Sequence, residues 1–132
     1  MIDHLALDVT DIRRSRAFYA AALAPTLPEF GFWGDVFYGA GDASTLTSRL
    51  DAGTPVLVWI GLWGNTGYYE YAADGTPYKL AAGQHVVVAY GYDDGGVYVS
   101  DPATGSKTFY DWSTFMSYWN VLDGMSLAVG PL

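Results

Sequence analysis

The clearest structural signal lies in residues 84–101, which read QHVVVAYGYDDGGVYVSD. It contains two runs rich in β-branched and aromatic residues, Gln84–Tyr92 and Val97–Ser100, on either side of Asp93-Asp94-Gly95-Gly96. Such runs, when a short turn rich in Asp and Gly separates them, are typical of a β-hairpin. We therefore predict two neighbouring antiparallel strands, and we interpret the two aspartates between them as turn residues rather than calcium ligands.

The same hairpin brings a histidine and an aspartate together. His85 lies at the start of the first strand, and Asp101 follows the second strand. Because antiparallel neighbours run in opposite directions, the start of one lies beside the end of the other. We expect the two side chains to lie within hydrogen-bond reach, about 2.6–3.2 Å. The carboxylate would then fix the tautomer of the imidazole, as a general base requires, although a purely structural hydrogen bond has the same geometry.

The order of the other predicted elements indicates an α+β domain. Further strands are predicted at Ile2–Val9, Pro55–Gly61 and Met125–Val129, and a second hairpin joins Tyr68–Ala72 to Tyr78–Leu80 through Asp74-Gly75. Helices are predicted from about residue 11 to 24, over Ser44–Ala52 with Ser44 as its cap, and over Trp112–Trp119 with Asp111 as its cap. The predicted fold class is thus an antiparallel sheet of about five to six strands with three helices.

The composition is that of one folded domain without thiol chemistry. The 132 residues are 51% hydrophobic and 17% aromatic, which is enough to form a core. A net charge of −8 repels a nucleic-acid backbone, so we predict no nucleic-acid partner. The longest apolar run, Pro55–Leu62, is too short to span a membrane, so we predict no membrane partner and leave the localisation open. With no cysteine, these residues contain no disulfide and no cysteine nucleophile.

The charges divide this single predicted domain into two segments. Residues 1–27 contain three acidic and three basic side chains, so the whole net charge of −8 lies in residues 28–132. Pro25 and Pro28 mark the break between the two segments.

Aromatic side chains form two further groups along the chain. One group lies in a glycine-rich stretch, at Phe30, Phe32, Trp33, Phe37 and Tyr38; the other lies near the second hairpin, at Trp63, Tyr68, Tyr69 and Tyr71. Exposed aromatic rings can grip a peptide or a sugar, so a ligand groove is one interpretation. We favour the other interpretation, in which these rings fill the core and cover the sheet.

Four motifs occur in a fixed order in residues 28–132: Leu50–Trp59 (LDAGTPVLVW), Gly83–Asp94, Val97–Gly105 (VYVSDPATG) and Tyr110–Trp119. In this order they resemble the C-terminal half of papain-like cysteine peptidases, in particular the bacteriocin-leader-processing, double-glycine type. The resemblance implies that His85 aligns with the general base and Asp101 with the residue that orients it.

The chain departs from that family at the nucleophile. The family has a cysteine at the start of a helix, with an oxyanion-stabilising glutamine just before it, and this chain has no cysteine. Gln84 is adjacent to His85 and does not correspond to that glutamine.

The N-terminal segment, from Ile2-Asp3-His4-Leu5 to Ala24, has a different resemblance. It is similar to the first strand and helix of the vicinal-oxygen-chelate (glyoxalase and dioxygenase) superfamily. This resemblance implies that His4 aligns with a position that is often a metal ligand. The other candidate ligands, His85, Glu29 and Glu70, lie in surroundings that do not repeat the superfamily's motifs, so we predict no metal and no other cofactor.

Taken together, these features predict a cysteine-peptidase-like domain that keeps the pair His85 and Asp101 but lacks the nucleophile. We expect such a domain to bind a peptide or to act as a scaffold without catalysis, within a chimeric or truncated protein. Two enzyme alternatives stay open: a metal-dependent vicinal-oxygen-chelate enzyme that uses His4, and a peptidase completed by another chain. We also expect the helix after Asp11 to pack on the sheet at Val86–Ala89, and its exchange between two copies would give a homodimer.

Overall fold

A computed structural model describes residues 24–71, 73–75 and 77–132 of the chain. The helices are α1 (Ala24–Thr26), α2 (Ser44–Asp51) and α3 (Trp112–Asn120), with 3-10 turns at Leu27–Phe30 and Leu62–Gly64. The strands are β1 (Phe32–Tyr38), β2 (Val56–Gly61), β3 (Tyr68–Tyr71), β4 (Pro77–Leu80), β5 (Gln84–Tyr92), β6 (Gly96–Asp101), β7 (Ser106–Asp111) and β8 (Met125–Pro131). The predicted strand at Ile2–Val9, and nearly all of the predicted helix after Asp11 with its packing on the sheet, lie outside the described residues.

Six of these strands form one antiparallel sheet in the order β1-β8-β2-β5-β6-β7, and β3 and β4 form a separate hairpin. The predicted α+β fold, with three helices and a sheet of five to six strands, is therefore confirmed. In the described part of the chain, no helix is long and apolar enough to cross a membrane.

The hairpin of β5 and β6 has the predicted turn. Two backbone N–H groups, those of Gly95 and Gly96, donate to Oδ1 of Asp93 at 2.7 and 3.1 Å, so Asp93 is a turn residue. Val88 lies opposite Ser100 and Ala89 opposite Val99, and a bulge after Ala89 shifts the register by one residue before the turn.

Side chains that alternate along the strands give the sheet two apolar faces. One face, which we name the helical face, packs against α2 and α3. Its buried residues are Leu46, Val56, Val58, Ile60, Val87, Ala89, Val97, Val99, Phe115, Trp119 and Ala128. The opposite face has a smaller cluster of Trp59, Ala81, Val121, Leu122 and Leu127. Both faces of β2 are therefore buried, as its continuous apolar run predicts.

Two strands of the sheet were not predicted from the sequence. β1 lies in the glycine-rich aromatic stretch and pairs with β8 along its whole length. β7 pairs with β6 in the same way. Both are edge strands, and each combines polar residues with aromatic ones, so neither has the apolar run of a central strand.

The predicted cap of α2 was wrong. The side chain of Ser44 does not cap the helix; instead, Oδ1 of Asp42 accepts hydrogen bonds from the backbone N–H of Ser44, at 2.9 Å, and from its hydroxyl. Asp42 is the better acceptor because its carboxylate is charged and lies beside the unpaired N–H groups of the first turn. The cap of α3 is as predicted, since the side chain of Asp111 accepts from the N–H of Thr114.

Candidate functional site

His85 and Asp101 are in direct contact at one end of the six-stranded sheet. Nε2 of His85 lies 2.7 Å from Oδ1 of Asp101, within the predicted range. The side chains are 18% and 13% exposed, so little solvent screens the contact. The predicted proximity is therefore confirmed, whereas the catalytic role of either residue is a separate question.

The strand register explains this contact. His85 is the second residue of β5 and lies opposite Ile60 of β2, and Asp101 is the last residue of β6. Side chains two residues apart on a strand lie on the same face. His85 is two residues from Val87, and Asp101 is two residues from Val99, so both lie on the helical face. The hairpin thus places an imidazole and a carboxylate on the same face at the same end of the sheet.

The loop after β6 holds the carboxylate in place. Oδ1 of Asp101 also accepts the backbone N–H of Ala103 at 2.9 Å, across the intervening Pro102. An aspartate that bonds the backbone two residues later has a restricted side-chain conformation. The carboxylate is therefore oriented by its own loop as well as by His85.

The second ring nitrogen of His85 is available to a ligand. A carboxylate only accepts hydrogen bonds, so the neutral imidazole has its proton on Nε2 and a lone pair on Nδ1. Among the described residues, every buried side-chain nitrogen or oxygen has a hydrogen-bond partner. Nδ1 forms no hydrogen bond with these residues. It is therefore without a hydrogen-bond partner in the described part of the chain.

Two tyrosines pack together against the buried cluster of the helical face. Tyr110 of β7 contacts Tyr118 of α3 edge to face, with 5.7 Å between ring centroids. Burial raises the pKa of the Tyr110 hydroxyl, and the negative charge of Asp101 and the neighbouring Tyr118 raise it further. Asp101 acts on Tyr110 from a distance, because Tyr110 lies opposite Val97 and Asp101 lies opposite Ser106. Neither tyrosine was singled out from the sequence, because nothing in the sequence pattern distinguishes them from the other nine.

Trp63 lies near this end of the sheet, in the turn that follows β2. It comes three residues after Ile60, which lies opposite His85. Its indole packs against Gly83. The Leu62 N–H donates to the Gly83 carbonyl at 2.9 Å, which ties this turn to the start of β5. The Trp63 side chain is nevertheless 73% exposed, and its backbone φ of 66° is rare for a residue other than glycine.

We predicted that the two groups of aromatic rings fill the core and cover the sheet. This prediction holds for only some of these rings. Trp33 and Phe37 pack against the buried cluster of the helical face. The other members are largely exposed: Phe30, Phe32, Tyr38, Trp63, Tyr68, Tyr69 and Tyr71. Tyr69 belongs to a small polar cluster, because Lys79 lies over its ring and forms an ion pair with Asp123 at 3.1 Å.

The residues considered as metal ligands are not brought together in the described residues. His4 lies outside them. In the parts of the chain that the structure describes, no three His, Cys, Asp or Glu side chains form a group that could hold a metal ion.

Comparison with known proteins gives a family and a fold. Residues 9–127 match the model of the Peptidase_C39 like family. This match begins within the segment that was compared with the vicinal-oxygen-chelate superfamily, and that second resemblance is not shown. A search of the curated proteins finds no match.

One similar solved structure is the crystal structure of a C39-like peptidase from Bacillus anthracis. The TM-score is 0.63 at 19% sequence identity, and the match covers 75% of this chain and 52% of that chain. At this identity the likeness shows the fold alone. The chain spans about half the length of that protein.

Proposed function

The chain belongs to the Peptidase_C39 like family, and from this premise we propose that it binds an extended peptide beside His85 without cleaving it. The observation that carries the proposal is the intact contact between His85 and Asp101 in a sequence without cysteine. Asp101 is in place to orient His85 as a base, while these 132 residues contain no thiol that such a base would activate.

The free nitrogen of His85 suits a hydrogen bond to a ligand. In a thiol peptidase the base takes the proton of the nucleophile. Here the Nδ1 lone pair has no such group among the described residues, so it can accept a backbone N–H or a hydroxyl of a bound peptide. Asp101 keeps the ring in the orientation that this hydrogen bond needs.

Trp63 provides an exposed apolar surface near the start of β5, the strand that carries His85. Its indole is held against Gly83, two residues before His85, so its position is defined although most of the ring is exposed. A large exposed ring with a fixed position can bury apolar side chains of a ligand at a low cost in side-chain entropy. A peptide with an aromatic or aliphatic side chain beside the bonded N–H is therefore the ligand class that we propose.

A peptide library tests this proposal by two separate readouts. NMR titration of the labelled protein measures binding, and mass spectrometry of the peptides measures cleavage. We expect binding without cleavage, and His85→Ala should weaken binding about 3–10-fold, the value of one hydrogen bond. Tyr92→Phe is the matched control because it changes the far end of β5, where the Tyr92 hydroxyl bonds Asp51. Cleavage by this chain alone that disappears in His85→Ala would refute the non-catalytic role.

A second candidate function is that of a peptidase whose nucleophile comes from another segment or chain. Nδ1 of His85, which has no partner among the described residues, favours it, as does the match to only 52% of the Bacillus anthracis protein. His85 would then take the proton of an incoming thiol, the thiolate would attack the peptide carbonyl carbon, and the leaving amine would receive that proton.

Alkylation separates the two functions. Iodoacetamide has no cysteine to modify in this chain. If a complex purified from the native source cleaves peptides, and both iodoacetamide and His85→Ala abolish the cleavage, the thiol comes from outside these residues. Cleavage that resists iodoacetamide would contradict this second candidate.

A further inference from the structure

The outer edge of β7 has no partner strand in the described part of the chain. β7 is the last strand of the six-stranded sheet, and all six of its residues pair with β6 on the inner side. Its other side presents backbone N–H and C=O groups that can pair with another strand. Most of its side chains are exposed, and that of Phe109 is 45% exposed.

The sequence of this edge is complementary to itself. It reads Lys107-Thr108-Phe109-Tyr110-Asp111. If a second copy pairs antiparallel with Phe109 opposite Phe109, then Lys107 of each copy lies opposite Asp111 of the other, and Thr108 lies opposite Tyr110. Opposite charges on directly opposed residues stabilise a pair of strands.

The faces of the sheet match in this register. Tyr110 packs against the cluster on the helical face, so by alternation Thr108 lies on that face and the other three residues lie on the opposite face. A two-fold axis perpendicular to the sheet keeps each face on its own side. Two residues that lie opposite each other across the axis must therefore belong to the same face of the sheet. The pairs Lys107–Asp111, Thr108–Tyr110 and Phe109–Phe109 all meet this condition.

The charges of the two end residues are available for such a contact. Lys107 has no carboxylate within ion-pair distance in the described residues; its ammonium lies 5.6 Å from the Tyr90 ring centroid. The carboxylate of Asp111 bonds the N–H and the hydroxyl of Thr114, which lower its pKa and keep it ionised. A carboxylate has about four lone-pair sites, so it can accept a charged donor in addition to its bonds within the cap.

A row of aromatic side chains ends at this edge. On the opposite face Tyr90, Tyr98 and Phe109 lie next to one another across β5, β6 and β7, with ring centroids 6.4 and 4.9 Å apart. In the self-paired arrangement the two Phe109 rings meet at the axis, so the rows of the two copies become one. Phe109 would lose most of its exposed apolar surface in this contact.

We propose that a second copy of this chain occupies the β7 edge, paired antiparallel with Phe109 on the two-fold axis, so that both six-stranded sheets form one continuous sheet. The contact involves one short strand from each copy, which is small for a stable protein interface. The dimer therefore forms in a concentration-dependent equilibrium with the monomer. This proposal does not depend on the proposed function, because it uses neither His85 nor Asp101.

A single introduced cysteine tests the register directly. The chain has no cysteine, so Phe109→Cys creates one thiol at the axis. Directly opposed Cα atoms are about 4.5–5.5 Å apart, which lies within the range of about 4.4–6.8 Å for disulfides. Thr108→Cys is the matched control because its Cα atoms would be about 8 Å apart, beyond disulfide reach.

Under mild oxidation we expect Phe109→Cys to form a disulfide-linked dimer at least about tenfold faster than Thr108→Cys. Faster linkage of Thr108→Cys would overturn the register. Equal slow linkage of both variants, together with a monomeric wild-type chain at every concentration in analytical ultracentrifugation, would overturn the proposal and leave the edge to another segment or partner.

Charge substitutions test the same contact without oxidation. Lys107→Gln removes both symmetry-related ion pairs, and Ser48→Asp, on the exposed side of α2, changes the net charge by the same one unit. We expect Lys107→Gln to weaken dimerisation roughly 3–10-fold, from two partly exposed ion pairs, and Ser48→Asp to leave it nearly unchanged. Equal weakening by both variants would mean that general repulsion, rather than this contact, controls association.

Discussion

Three residues near the candidate site have backbone conformations that few residue types adopt. Gly83, Gly64 and Trp63 all have φ between 64° and 74°. They lie just before β5 and in the turn after β2, at the end of the sheet where His85 lies. Glycine tolerates this left-handed region, but Trp63 does so at a cost of about 1–2 kcal/mol. Such a cost persists where the surrounding packing fixes the conformation, as the contact between Trp63 and Gly83 does here.

Gly83→Ala should displace the Trp63 indole. An added Cβ would lie 2.8 Å from Cζ3 of Trp63, closer than two carbon atoms can approach, so the ring must move. We expect a shifted Trp63 signal in ¹⁹F NMR of protein labelled with 5-fluorotryptophan, together with a loss of about 1–2 kcal/mol of stability from the strained φ.

Gly105→Ala is the control for this change. Gly105 has a φ of 66°, yet an added Cβ would meet no atom within 4 Å. It should therefore lose a similar stability and leave the Trp63 signal in place. If both variants shift that signal equally, the indole is not held by Gly83.

The sequence could identify some of these residues and not others. His85 and Asp101 were predicted because a local hairpin fixes their relation. The turn at Trp63 depends on the Leu62 N–H finding the carbonyl of Gly83, about twenty residues later in the chain. No local pattern encodes such a contact.

At the scale of elements, α3 depends on the side chain that precedes it. Oδ1 of Asp111 accepts the backbone N–H of Thr114 at 2.9 Å, and Oδ2 accepts the Thr114 hydroxyl at 2.8 Å. These bonds satisfy one of the unpaired N–H groups at the start of α3 and fix where the helix begins. They also lower the pKa of Asp111, chiefly through the backbone bond from Thr114.

The cap of α3 should make stability depend on pH. The pKa of Asp111 in the folded protein is below its ordinary value of 3.8, so the unfolded chain takes up the proton first as the pH falls. Its stabilising contribution is complete above about pH 4 and is lost as the pH falls further. Asp111→Ala should lower the melting temperature by about 2–5 °C at pH 7 and much less at pH 2.5.

Asp111→Asn is the informative comparison, because asparagine keeps an acceptor oxygen but does not titrate in this range. Its melting temperature should stay near that of the wild type at pH 7. A deficit of Asp111→Ala that is the same at both pH values would show that the carboxylate charge makes no contribution to the cap.

At the scale of the whole molecule, Trp119 connects three parts of the fold. Its ring is fully buried on the helical face, and its Nε1–H donates to the hydroxyl of Ser126 in β8 at 3.1 Å. The Ser126 hydroxyl in turn donates to the carbonyl of Gly124. Gly39, just after β1, contacts the six-membered ring of Trp119, and a Cβ at this position would overlap Cη2.

A double-mutant cycle should show that Gly39 and Trp119 are coupled. Gly39→Ala overpacks the core, and Trp119→Phe removes both the indole N–H and the ring atoms that meet position 39; each should cost about 1–3 kcal/mol. Because the smaller ring of Trp119→Phe leaves space for the added methyl group, the double variant should be at least about 0.5 kcal/mol more stable than additivity predicts.

Urea denaturation of the four proteins gives this coupling energy. Simple additivity would mean that the neighbouring backbone, rather than Trp119, determines the need for glycine at position 39. In that case Gly39→Ala would be equally destabilising in both backgrounds.

Features whose causes are local could be predicted from the sequence alone. The alternating apolar pattern and the Asp-Gly turn specify the hairpin of β5 and β6, and that hairpin brings His85 to Asp101. The side chain of Asp111 likewise specifies the start of α3. In each case the interacting groups are close in sequence, so the pattern contains the whole cause.

The edges of the sheet and the surroundings of the site depend instead on tertiary contacts. β1 and β7 are strands because β8 and β6 offer them hydrogen-bond partners, and Asp101 influences the pKa of Tyr110 because β7 lies beside β6. Pairing of an edge strand gains free energy from its partner rather than from its own residues, so its own sequence is a weak guide.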